Sequence, residues 1–319
     1  MSAPLPIDRT TPPRGGAART MSLPSFERAT FANGLTALAA RLPRVPIALF
    51  EWLAPAGGFR DPRGSAGLAT LVAALVDEGT ATSDALQIAA RIESLGGALS
   101  TGADWDFAVL EATALASEAE AVLALLAEIA TSPTFPDREI ERLKRQRLTE
   151  ILRRSHDPSS LAEKHLARVL YGETPYGSPL LGTEESVAAF TREPIEAFFA
   201  QHYVARGGVV LAIGDLDAAE TLARVETVFR GLPNREAPPF EVAAPPERSG
   251  ITIHLVDRPG ASQTELRIGH IGIARRHPDW STFSVLNALL GGKFTSRINL
   301  NLRERHGYTY GATSRLVGR

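Results

Sequence analysis

The stretch GSAGLATLVAALVDEGT, residues 64–80, decides how the rest of the chain is read. Leu68, Leu71, Val72 and Leu75 recur at helical spacing, which predicts a small-residue helix over residues 64–76 with one face against a core. The turn DPRGS leads into it. Upstream, VPIALFEWLAP is apolar enough for a central strand, and FERATFANGLTALAARL alternates around Asn33-Gly34, a hairpin signal. Downstream, Ser83 is read as the cap of a helix that Gly96-Gly97 stops near Leu95. Residues 99–114 read as two strands around residues 104–106. Helices are expected over 118–130, over 136–154 with Pro136 in the first turn, after Asp157-Pro158, over 192–202 and over 218–230. GGVVLAIGDL reads as a buried strand.

The stretch REAPPFEVAAPPERSG, dense in proline and small residues, has the composition of an extended linker. After it the order of elements restarts. Strands are expected at ITIHLVD (residues 251–257), QTELRIGHIGI (263–273) and YTYGATSRLV (308–317), with helices over 279–290 and 296–305 between them. The predicted organisation is a disordered tail over residues 1–25, a first domain over 26–235, a linker over 236–249 and a second, incomplete domain over 250–319. The fold class is α+β: two related two-layer domains, each with helices packed on one face of a largely antiparallel sheet.

Bulk composition narrows the function. The chain has 319 residues, 44% apolar and 22% charged, in the range of globular proteins. A net charge of −2 gives no sign of a nucleic-acid or anionic-membrane binder. The absence of cysteine excludes disulfides, thiolate-bound zinc and thiol catalysis. No apolar run approaches the length of a membrane span, and the proline-rich first residues carry no apolar signal core. A cytoplasmic protein is therefore expected.

The frame of residues 64–80 resembles the zinc helix of the pitrilysin/insulinase peptidases, the inverzincins, in which a Gly-Leu-Ala lead-in precedes His-x-x-Glu-His and then Gly-Thr. On this sequence the three chemical positions fall on Thr70, Ala73 and Ala74. Positions 70 and 74 lie one turn apart on one face, which would let two imidazoles share a zinc ion. Position 73 would carry the general base. Alanine has no donor atom, and a lone hydroxyl is a poor zinc ligand. The resemblance puts the family's third ligand, a glutamate on a later helix, at Glu150. The plain reading of Glu150 is a solvated or ion-paired helix glutamate near Arg147, Arg153 and Arg154. The seven histidines include no pair at i,i+4, and surface or helix-cap roles are expected for each.

The segment LGGKFTSRINLNLRERHGYTYGATSRL, residues 290–316, resembles the second-domain signature of the same family. Arg303 and Tyr310 match its Arg/Tyr pair, which faces the zinc site across a cavity, holds the peptide and stabilises charge on the scissile carbonyl. The plain reading is an ion-paired surface arginine and a strand aromatic. Residues 57–68, 157–217 and 259–273 also follow the family pattern. The resemblance implies a non-catalytic partner subunit of a heterodimeric zinc metalloendopeptidase. It would carry no metal of its own, and zinc and base would come from a homologous subunit. Arg303 and Tyr310 would be supplied in trans to peptide bound in a shared chamber. The alternative is a structural subunit of peptidase-like fold without a proteolytic role.

Overall fold

The computed structural model describes residues 10, 16–17, 22–240, 243–247 and 249–318, so most of the expected N-terminal tail lies outside the described residues. The hairpin is β1 (Glu27–Thr30) and β2 (Thr36–Arg41), paired antiparallel. Gly34 takes a left-handed φ of 86° in its turn, and the Asn33 side chain accepts from the Leu35 amide at 3.1 Å. Strand β3 (Ile47–Ala54) is central, as its apolar run predicts. It pairs antiparallel with β5 (Ala108–Leu115) on one side and β6 (Val209–Gly214) on the other. The full order is β1-β2-β6-β3-β5-β4, with β4 spanning Ala98–Ala103. Among the described residues, β2 and β6 are the only neighbouring strands of this sheet that run parallel.

Alternation along the strands makes one face of this sheet the core. Ala48, Phe50, Trp52 and Ala54 are buried on β3, Leu110 and Ala112 on β5, and Val210 and Ala212 on β6. Three helices cover that face, α1 (Leu68–Leu75), α3 (Ala119–Thr131) and α8 (Ala218–Val228), and α7 (Arg192–His202) packs on α1. Trp52 sits at the centre, its ring 5.8 Å from Tyr203 and 5.9 Å from Phe229. The outward face is half-buried and carries the cross-strand pair Glu51 and Glu111. The domain is thus two-layered and largely antiparallel, as the sequence predicts. Outside the core layer run α2 (Ala85–Ser94), α4 (Asp137–His156), α5 (Pro158–Tyr171) and α6 (Glu184–Ala189).

Asp84, one residue beyond the expected Ser83, caps α2. Its carboxylate accepts from the Gln87 amide at 2.8 Å, and the Gln87 side chain accepts from the Asp84 amide at 2.9 Å. Replacing Asp84 with Ala should cost about 1 kcal/mol. Chemical denaturation measures this, and an unchanged midpoint would show that the cap contributes nothing.

The described residues of the expected linker belong to no helix or named strand, and its first part lies against residues 59–60. Phe240 stacks on Phe59 at 3.8 Å, and Arg60 donates through Nη1 to the Pro238 carbonyl at 2.5 Å. Beyond it, the expected helices are present as α9 (Trp280–Leu290) and the short α10 (Arg297–Asn299), which runs into a π-helical turn, Leu300–Arg305. The expected strands are not. Residues 251–257, 263–273 and 308–317 pair into no ladder, and Ile251, Ile253, Leu255 and Ile268 are 86–96% exposed. Alternation states which face of a strand is apolar, but a sheet also needs neighbours for its amides and carbonyls. These stretches are tied instead to the end of α4 and to α5. Arg258, just after the first, donates to the carbonyl of His156 at the end of α4 at 2.7 Å, while Arg267 donates to Ser159 Oγ on α5 at 2.5 Å and Arg315 pairs with Glu163 on α5 at 2.6 Å. No helix among the described residues is long and apolar enough to cross a membrane.

Candidate functional site

Helix α1 begins where Gly67 takes a left-handed φ of 91°, and Asp61 closes its N-terminus. The two Asp61 carboxylate oxygens accept from the Gly67 and Ala69 amides, each at 2.7 Å. Thr70 and Ala73 are buried on this helix and Ala74 is half-buried. The Thr70 hydroxyl donates to the Leu180 carbonyl at 2.7 Å. It also accepts from Arg147 Nη1 at 2.6 Å, while Arg147 Nη2 donates to the Thr70 carbonyl at 3.2 Å. Arg147 comes from α4 and is half-buried. Burial lowers its pKa and the nearby Asp61 charge acts against that shift.

Glu150 lies one turn after Arg147 on α4, yet its carboxylate turns to its own helix. It accepts from Arg153 at 2.7 Å through two nitrogens and from Arg154 at 2.7 Å. These hydrogen bonds hold it at about 2. Arg147 is not among its partners. Thr70, Ala73, Ala74 and Glu150 are therefore a poor fit to zinc: two positions have no donor, one hydroxyl is engaged, and the carboxylate is committed elsewhere. A guanidinium rests on Thr70, one of the two positions where the resemblance implies an imidazole. Among the described residues no group of three or more His, Asp or Glu side chains is arranged to hold a metal ion.

Burial pushes the Asp61 carboxyl up to about 7, against the downward pull of the Ala69 and Gly67 amides and of Arg147. A carboxyl that holds its proton more tightly folded than unfolded adds stability that is complete below its ordinary pKa of 3.8. That stability is lost as pH rises through about 7. Unfolding free energy should therefore fall more steeply between these pH values in the native chain than in Asp61→Asn. Urea titrations across that window test it; parallel curves for the two proteins would refute it.

The second pair sits in the C-terminal region. Arg303 ends up half-buried on the π-helical turn, its guanidinium 4.4 Å from the Phe294 ring and its Nε 3.6 Å from Glu304. Tyr310 is 89% exposed in the extended segment that follows. No hydrogen bond joins the two among the described residues. Asn299, buried, ties their segments together by donating to the Phe294 carbonyl at 2.6 Å and accepting from the Ala312 amide at 3.2 Å. Tyr308 stacks on His306 with ring centroids 5.1 Å apart.

His202 departs from the expected surface or cap role. It is buried in the last turn of α7 against Phe198, and burial with the nearby Arg60 and Arg235 lowers it to about 4. Sequence reasoning also missed Arg147 and Asp61 as parts of this site. The available signal was spacing: Arg147 precedes Glu150 by three residues and so shares the side of α4 assigned to the site.

Comparison with known proteins places these features. Residues 46–184 match the family model for insulinase, peptidase family M16, and residues 189–318 match the model for the peptidase M16 inactive domain. An uncharacterized zinc protease of Rickettsia bellii is 26% identical over 291 residues, covering 91% of this chain and 69% of its own length. One of Streptomyces coelicolor is 26% identical over 322 residues, covering 97% and 70%. The crystal structure of a peptidase M16 inactive domain from Pseudomonas fluorescens superimposes with a TM-score of 0.81 at 29% identity, covering 92% of this chain and 71% of that one.

Proposed function

This chain belongs to the insulinase/pitrilysin family of peptidases, and from that premise we propose that it is a non-catalytic partner subunit of a two-chain zinc metalloendopeptidase. A homologous subunit carries the zinc ion and the general base. This chain helps hold the peptide in a shared chamber and supplies Arg303 and Tyr310 in trans. The observation that carries this reading is an asymmetry between the two halves of the signature. The metal-binding half has lost its donors at Thr70, Ala73 and Ala74, and Arg147 rests on Thr70. The substrate-binding half keeps both of its donors, and Tyr310 is 89% exposed, as a group reaching toward another chain would be.

Co-expression with a homologous chain that carries the intact zinc motif tests the proposal. Expected are co-purification, one zinc ion per pair, and cleavage of unstructured peptides by the pair but by neither chain alone. Full activity of the zinc-bearing chain in the absence of this one would overturn it. The scaffold reading draws on one observation: the Arg303 guanidinium already has Phe294 and Glu304 within its own chain. It predicts a stable complex that cleaves nothing.

A further inference from the structure

The space between α1 and α4 holds a positive charge even though it has no metal ligands. Arg147 crosses from α4 and spends two of its donors on a single residue of α1, the Thr70 hydroxyl at 2.6 Å and the Thr70 carbonyl at 3.2 Å. The same hydroxyl donates to Leu180, so α1, α4 and the loop before α6 meet at one atom. Ser186 at the start of α6 reinforces that junction by donating to the Ala66 carbonyl at 2.8 Å. Asp61, which caps α1, adds an opposing charge as it ionises with pH rising through about 7. A half-buried guanidinium is costly to desolvate unless its fixed fork finds acceptors, and Thr70 supplies two of them. In the zinc-holding pattern that the sequence resembles, a cation bound by two positions of this helix and a glutamate of the later helix would join the same two elements.

We propose that Arg147 replaces the metal as the cation that joins α1 to α4 through Thr70, and that it keeps divalent ions out of this position even when imidazole ligands are restored there. Arg147 is thus a positioning residue, set by geometry and charge. The inference concerns this chain alone and does not depend on the partner-subunit reading. A fixed positive charge held beside a divalent ion repels it strongly where water is largely excluded. Arg147 Nη1 also lies 2.6 Å from the Thr70 hydroxyl, so a larger side chain at position 70 would have to grow past the guanidinium.

Two arms test this on the full chain. In the first, urea unfolding is measured for Arg147→Met, Thr70→Val and the double variant. Each single change should lower the midpoint and the double should be little worse than either; strictly additive losses would overturn the link. In the second, zinc affinity is measured by chelator competition for Thr70→His/Ala74→His with Arg147 kept and with Arg147→Gln. Glutamine keeps a hydrogen-bond donor without the charge, which favours a folded protein, and circular dichroism checks this. Zinc should bind at least about tenfold more tightly in the glutamine background. Equal affinity in both backgrounds, or no binding in either, would overturn the exclusion.

Discussion

Changing Arg303 to Ala or Tyr310 to Phe in an assembled two-chain enzyme should lower kcat by roughly 30- to 1,000-fold, equivalent to ~2–4 kcal/mol of transition-state stabilisation. A guanidinium and a phenol are strong donors toward the oxygen of a carbonyl that becomes an oxyanion, and their effect is largest where the partner's wall excludes water. The stability of this chain should barely register either change. The Tyr310 hydroxyl has no hydrogen-bond partner among the described residues, and its ring packs little. Arg303 has more to lose, because its guanidinium lies over Phe294. A cation–π contact at an exposed site is worth only about 0.5–1 kcal/mol, so a small drop in melting temperature is expected for Arg303→Ala and none for Tyr310→Phe. Peptide affinity should weaken as well if the pair holds the ground-state carbonyl, and KM then separates that part from kcat. Both variants are to be assayed after their assembly with the partner has been checked by sizing chromatography. Undiminished turnover in both would remove the trans-acting pair and leave the scaffold reading.

How much of this could be read from the sequence depends on whether the cause is local. The hairpin at Asn33-Gly34, the limits of α7 at Arg192 and His202, and the central place of β3 all follow from turn chemistry or apolar periodicity within one segment. The pairing of β2 with β6 does not. It joins segments distant in the chain and is the one parallel pair in the sheet, so no single window contains it. Helix α6 has only six residues, too few for apolar periodicity to mark it, although Thr183 caps it. The unpaired stretches after residue 250 fail for a different reason: their alternation is real, but a strand is defined by what lies beside it. The site divides the same way. That residues 70, 73 and 74 lack metal donors is a matter of residue type. That Arg147 fills the gap is a matter of which way one side chain leaves α4, and a charge on a long polar helix reads as a solvated face.

Gly67→Ala should cost roughly 3–5 kcal/mol, enough to remove much of the stability of an ordinary domain. Two costs combine. Gly67 has φ 91° and ψ −1°, a left-handed conformation that an L side chain adopts at a penalty of about 1–2 kcal/mol. A methyl group there would also lie 2.7 Å from the Gly182 amide nitrogen and the Leu181 carbonyl oxygen and 2.8 Å from the Gly182 Cα. Those atoms are backbone and cannot rotate away. They are also held from the other side, since a Cβ on Gly182 would itself lie 2.4 Å from the Ala66 carbonyl. The strain falls on the entry to α1, where Asp61 caps the Gly67 and Ala69 amides and where Leu180 accepts from Thr70, so the Arg147 junction should loosen with it. Gly64→Ala is the control. It too has a positive φ, 81°, but a Cβ there meets nothing within 4 Å, and it should cost only the conformational penalty. Equal losses in the two variants, measured by urea unfolding, would mean that backbone conformation alone sets the requirement for glycine at 67. A markedly larger loss at 67 would show that packing against residues 181–182, beyond backbone conformation, sets the requirement for glycine at the head of α1.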